Sequence, residues 1–136
     1  MPALPDRPPR RRTESTVKAR IRAAICAVPG VICWPNACGQ YRDDAGHVIQ
    51  YGLARGSSDL ILCAWGRFVA IECKREQPAW TKPTSRAKPT EHEARQLAWI
   101  AQVESFGGVG GIAWDVPSAM AILERARPVL PVANGR

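Results

Sequence analysis

The sequence predicts an α/β domain with a mixed central β-sheet flanked by helices, and three stretches carry that expectation. Residues 13–28 repeat apolar side chains at helical spacing, residues 60–73 form two strand-length apolar runs, and residues 90–114 join a capped helix to a buried strand.

The size and charge of the chain bound what it can be. Its 136 residues suit one domain able to bury a core without staples. Lysine and arginine outnumber aspartate and glutamate by 19 to 12, a formal net charge of +7. A basic domain suits a polyanionic partner, although charge alone speaks to solubility and non-specific binding rather than to fold. Arg7, Arg10, Arg11 and Arg12 against Asp6 give 4 − 1 = +3 before residue 13, which leaves +4 for the rest.

Five cysteines, at 26, 33, 38, 63 and 73, form no C-x-x-C pair and lie mostly in apolar runs. Buried reduced thiols of a cytosolic protein are therefore expected, with Cys33, Cys38 and His47 as the alternative zinc-ligand set. No apolar stretch approaches the roughly 20 residues that span a bilayer, and the N-terminal arginines precede no signal-type apolar core. A cytoplasmic protein of a bacterial or phage-infected host cell, with no membrane partner, is expected.

In chain order, residues 1–12 hold four prolines and four arginines and are expected to be a disordered basic arm. Thr13 is a plausible N-cap for a helix whose Val17, Ile21, Ala24, Ile25 and Val28 recur every three or four residues until Pro29-Gly30. Glu14 lies on the side of Val17 and Ile21, along the edge of the core-facing stripe; it also suits the helix macrodipole. Val31 to Trp34 is the first strand expected. Asp43-Asp44-Ala45-Gly46 makes a tight connection into a strand over His47 to Tyr51. Gly52, Gly56, Ser57 and Ser58 then lead to Asp59 as a flexible approach, or as a plain loop.

The centre of the chain is Gly56 to Lys74. Leu60 to Trp65 and Arg67 to Cys73 are strand length, and the junction at Gly66 is short enough for a hairpin. Closing it brings Asp59 beside Glu72 and Lys74, the latter two on one face and Ile71 and Cys73 on the opposite, buried one. Two carboxylates and an ammonium then converge. Carboxylate oxygens suit a hard divalent cation, and a lysine beside them can orient a water or steady a developing phosphorane charge. The same residues would equally make a salt bridge at a sheet rim.

Residues 75–89 are polar, with three prolines and the basic Arg75, Lys82, Arg86 and Lys88 around Trp80. A loop this long is usually functional or disordered, and these side chains suit a flap on a phosphate backbone or a base. Thr90-x-x-Glu93 is a capping box opening a helix to about Ser105, closed by Gly107-Gly108. Gln96 falls in its second turn, where glutamine is ordinarily a surface residue. Val109 to Trp114 reads as a buried strand whose glycines permit close packing against a helix. A last helix around Ser118 to Arg127 and a tail over 128–136 complete the chain. No phosphate-binding G-x-x-x-x-G-K-[ST] loop and no G-x-S-x-G elbow is present, so nucleotide hydrolases and serine esterases lose support. His47 and His92 are expected at the surface.

This order of features resembles the virus-type replication-repair nuclease domain (VRR-NUC), a branch of the PD-(D/E)xK nuclease superfamily. The resemblance runs from about Thr13 to Arg127, which sets the single nuclease-like domain at 13–127. It rests on T-E-S at the first helix, W-P-N around Asn36, the Gly-x-x-Asp approach to Asp59, I-E-C-K at 71–74, Gln96, and the G-G-V-G-G-I-A run. It implies a restriction-endonuclease-like core with elements in the order αβββαβ. It further implies Glu14, Asp59, Glu72, Lys74 and Gln96 as catalytic residues, and Asp59, Glu72 and the main-chain carbonyl of Cys73 as ligands of Mg2+ or Mn2+. Metal-dependent phosphodiester hydrolysis in DNA follows, on branched substrates such as Holliday junctions and by a homodimer, with Arg42, Arg75, Lys82, Arg86 and Lys88 as candidate DNA contacts. Ser58 stands where members of the family often carry Pro. The alternative function is a non-catalytic basic nucleic-acid-binding module. A restriction-type enzyme that reads bases finds no separate recognition domain here.

Overall fold

The computed structural model describes residues 12–129. The expected arm at 1–12, Arg12 excepted, and most of the tail at 128–136 lie outside the described residues. In chain order the elements are α1 (Glu14–Cys26), β1 (Val31–Pro35), β2 (Gly39–Arg42), β3 (Val48–Tyr51), β4 (Leu60–Ala64), β5 (Arg67–Cys73), α2 (Glu91–Ser105), β6 (Val109–Ala113) and α3 (Val116–Glu124), with a 3-10 turn at Ala79–Thr81.

Four strands form one mixed sheet in the order β1-β4-β5-β6; β2 and β3 pair only with each other, as a separate antiparallel hairpin. β1 and β4 run antiparallel, as do β4 and β5, whereas β5 and β6 are parallel. A parallel pair needs a long crossover, which α2 supplies. The β4–β5 turn closes between Ala64 and Arg67. Both central residues, Trp65 (φ 50) and Gly66 (φ 82), are left-handed, the conformation of a type I′ hairpin turn. Trp65 tolerates that backbone because its ring is held: Nε1 donates to the Pro29 carbonyl at 3.2 Å, and the Arg127 guanidinium lies 4.3 Å above the ring centre.

The main core lies on one face of the sheet. Val17, Ile21 and Ile25 of α1 and Ala119, Ile122 and Leu123 of α3 pack there against Leu60, Leu62, Val69, Ile71 and Cys73. α2 covers the other face over β5 and β6. Consecutive glycines of β6 serve the two faces in turn: a Cβ on Gly110 would meet Ile100 of α2, and one on Gly111 would meet Ile122 of α3.

Thr13 and Thr90 cap α1 and α2 with capping boxes, at the expected positions. α3 differs, starting at Val116 and ending at Glu124 rather than spanning 118–127. Asp115 is the cap, accepting from Ser118 N–H, and the proline at 117 sits in the first turn, where its missing N–H costs nothing. The cysteines also differ from expectation: Cys33 and Cys73 are buried, but Cys26, Cys38 and Cys63 are exposed, all five free. Apolar neighbours in sequence do not bury a strand residue when its own face is uncovered, as Cys63 shows. No helix among the described residues is long and apolar enough to cross a membrane.

Candidate active site

The β4–β5 register pairs Leu60 with Ile71, which sets Asp59 level with Glu72 one step beyond. The Asp59 carboxylate accepts the Cys73 N–H at 3.0 Å, and Lys18 of α1 stands 3.9 Å from its other oxygen. Backbone groups of successive strand residues point to alternate edges. Lys74 N–H reaches the Ala113 carbonyl on the β6 side, so the Cys73 carbonyl lies on the opposite edge, toward Asp59.

Asp59 is itself positioned from β1. Asn36 N–H donates to the Asp59 carbonyl at 2.8 Å, and the Asn36 amide donates to Ser57 Oγ and the Ser58 carbonyl at 2.8 and 2.9 Å. The loop of small residues before Asp59 is thereby pinned to the sheet. Ser58 is 1 % exposed, and its hydroxyl has no hydrogen-bond partner.

Glu72 is buried, 3 % exposed, which does not fit the alternative of a salt bridge at the sheet rim. Both faces of β5 are covered at this point, the second by α2. Gln96, also buried, reaches down from α2 and donates its amide to Glu72 Oε1 at 2.7 Å, while its carbonyl accepts Lys74 Nζ at 2.9 Å. Lys74 Nζ is 3.9 Å from the same Glu72 oxygen. Glu72 Oε2 is buried without a hydrogen-bond partner. Burial pushes the Glu72 carboxyl up to about 8; the negative charge of Asp59 adds to the rise and Lys74 opposes it. Burial likewise raises the Cys73 thiol, which points into the apolar core.

Glu14 is exposed at the start of α1 and lines two clefts. One, of about 510 Å³, runs from Asp59, Glu72 and Gln96 to the β2–β3 hairpin. The other, of about 630 Å³, is lined by Arg12, Arg75 and Pro78 among others. Lys74 borders both. The five expected catalytic residues all line the first cleft.

The expected DNA contacts are dispersed. Arg75 borders the second cleft, 3.2 Å from Glu76. Arg42 lies at the tip of the β2–β3 hairpin, bonded to the Gly46 carbonyl at 3.1 Å. Lys82, Arg86 and Lys88 are exposed along the segment after β5. Trp80, expected among them as a free aromatic, is tied back: its indole N–H donates to Glu93 Oε2 at 2.8 Å, and this bond holds the Glu93 carboxyl below its usual range.

His92 and Arg55 are among the residues that border the site without a sequence signal strong enough to assign them to it. His92 accepts the second Gln96 amide hydrogen through Nε2 at 3.1 Å, and its i,i+4 spacing to Gln96 is the feature that places both on one helix face. Arg55 lines the first cleft from the loop before Gly56, where no periodicity marks it. Among the described residues no three His, Cys, Asp or Glu side chains cluster as an ion-holding group; the donors at hand are two carboxylates and main-chain oxygen. No protein-family model matches the chain, and no curated protein matches it.

Proposed function

We propose that the chain is a Mg2+- or Mn2+-dependent endodeoxyribonuclease of the VRR-NUC type, acting on branched DNA such as Holliday junctions and working as a homodimer. The observation that carries this proposal is the buried carboxyl of Glu72 set beside Asp59, close enough for the two to share a proton. A divalent cation is the other partner that fits two facing carboxylates, and it would take that proton's place. The element order adds support. With the β2–β3 hairpin set aside as an insertion, the chain runs α1, β1, β4, β5, α2, β6, the succession of a restriction-endonuclease-like core.

Asp59, Glu72 and the Cys73 carbonyl would hold the ion. Bound there, it would polarise a non-bridging phosphate oxygen and lower the pKa of a water. Lys74 orients the attacking water or steadies charge growing on the phosphate. Gln96 holds that ammonium and the Glu72 carboxylate in fixed relation, since one amide group bonds both. Asn36 keeps Asp59 in register with Glu72.

Asp59→Ala and Lys74→Ala are expected to abolish metal-dependent cutting while leaving DNA binding largely intact. Either variant cutting as fast as the parent sinks the assignment. Cleavage mapping on four-way junctions, flaps and plain duplex tests the substrate, equal rates on all three removing the junction preference; sedimentation tests the dimer. One observation favours the non-catalytic binder instead: Asp59 and Glu72 Oε1 already have partners within the chain. On that alternative the protein retains DNA on a gel and never cuts it in Mg2+ or Mn2+.

A further inference from the structure

α2 packs on the second face of the main sheet over β5 and β6, and the side of that face formed by β1 and β4 is open next to the β4–β5 turn. There the register lines up Ile32, Cys63 and Phe68 across three strands. All three are exposed, Ile32 by 65 % and Phe68 by 43 %. In the next row Ile61 and Ala70 are buried and Trp34 is 47 % exposed. Trp99 stands beside the first row on the flank of α2, its ring edge-on to Phe68 with 6.2 Å between centres. Phe106, 83 % exposed, caps that helix two turns on from Trp99 and on the same side.

The open area matches what an interface needs. Aromatic side chains bury about 150–250 Å² each, so Trp34, Phe68 and Phe106 at these exposures, with Ile32 beside them, leave roughly 450 Å² of apolar surface uncovered. A standard interface takes about 800 Å² from each partner, a little over half of it apolar, so this face alone supplies the apolar share of one.

Charge and shape select the occupant. Ile32, Trp34, Ile61, Cys63, Phe68 and Ala70 carry no charge, so a phosphate backbone has nothing to pair with here. Two copies of a chain with a formal charge of +7 repel, and an uncharged contact keeps their charges apart. The surface has a raised part, Trp99 on its helix, beside a flat part, Ile32 and Cys63 on the strands. A two-fold pair uses both, the ridge of each copy lying on the floor of the other. Pairing through the sheet edge is disfavoured. Asn36 N–H donates to the Asp59 carbonyl and Trp65 N–H to the Gly30 carbonyl, so Ile32 and Trp34 turn their backbone groups toward β4. The outward groups are those of Val31, Cys33 and Pro35. The Cys33 carbonyl already accepts the Cys26 thiol at 3.8 Å, and a proline has no N–H to offer a further strand.

We propose that this open face, Ile32, Trp34, Cys63 and Phe68 with Trp99 of α2, is the surface through which two copies of the chain associate. The proposal rests on the homodimer reading above and gives it a contact surface. Glu72 lies on the same face as Phe68, roughly 13 Å further along β5, so each copy's site opens beside the contact.

Sedimentation equilibrium and cysteine alkylation test the surface on the full chain. The parent is expected to sediment as a dimer, with Cys63 shielded from a maleimide while the exposed Cys26 and Cys38 react, each read by peptide mass. Ile32→Glu, a change at an exposed position, should raise the dimer's Kd at least about tenfold and open Cys63 to the reagent. A parent that stays monomeric overturns the surface and the homodimer together. A dimer whose Kd is unmoved by a folded Ile32→Glu, or whose Cys63 reacts as fast as Cys38, overturns the surface alone. If Ile32→Glu fails to fold, Cys63 of the parent decides, an alkylation rate that does not fall from dilute to concentrated protein overturning the surface. Cutting of DNA is scored separately. A dimer through this face that never cuts supports the surface and removes the nuclease; a monomer that cuts does the reverse.

Discussion

Glu72 concentrates the chemistry of the site in one side chain. Its carboxyl is raised from an ordinary 4.5 to about 8 by burial and by Asp59, so between those values the folded protein holds a proton that the unfolded chain releases. The stability this contributes is complete below 4.5 and is lost as pH rises through about 8. In EDTA the melting temperature is expected to fall across that window, and Glu72→Gln should flatten the slope; a parent curve already flat from about pH 5 to 8 refutes it. Divalent-ion binding should release a proton over the same range, readable by calorimetry in two buffers of different ionisation heat. Asp59, Glu72 and Lys74 were legible in the sequence because strand alternation and a short turn are local rules. Gln96 was not legible from its own surroundings. A glutamine on a helix is buried only where the helix crosses a polar group on the sheet, and that crossing is tertiary.

Among the elements, α2 and β6 depend on close approach more than on side-chain volume. A Cβ on Gly108 would lie 2.6 Å from Val103 Cγ1 and 2.9 Å from the Phe68 carbonyl oxygen, the latter backbone with nowhere to move. Gly108→Ala is expected to cost about 1–3 kcal/mol in urea unfolding, and to lower the stability of the β5–β6 pairing that carries Glu72. An unchanged midpoint would mean that the turn after α2 shifts freely. The caps of α1 and α2 and the glycines of β6 could be read from sequence, since each has a local chemical reason. The independence of β2 and β3 from the main sheet could not, because residues 37–51 carry the same strand and turn signals whichever sheet they join. The hydrogen bond from Trp80 to Glu93 was not legible for a related reason: the two lie in different elements.

At the scale of the molecule, the formal net charge is +7, and Lys82, Arg86 and Lys88 sit exposed on one segment beyond the site. If these meet phosphates, replacing all three by alanine should make the salt dependence of DNA affinity shallower by roughly 1 for each phosphate no longer neutralised, measured by anisotropy between about 50 and 200 mM salt. An unchanged slope would assign the electrostatic attraction elsewhere, to Arg55 and Arg75 at the clefts. Net charge was plain in the sequence; its distribution around the two clefts was not, since clefts arise between elements.

The parallel pairing of β5 with β6 also sets an order of assembly. The β4–β5 hairpin is the most local pairing in the sheet and suits early formation, whereas β6 must wait for the crossover through α2. Asp59 and Glu72 would therefore be brought together as bare like charges before Gln96 arrives to take one of them. In a refolding experiment the first step brings like charges together and the last buries one of them, so a divalent cation added at the start should speed refolding and slow unfolding.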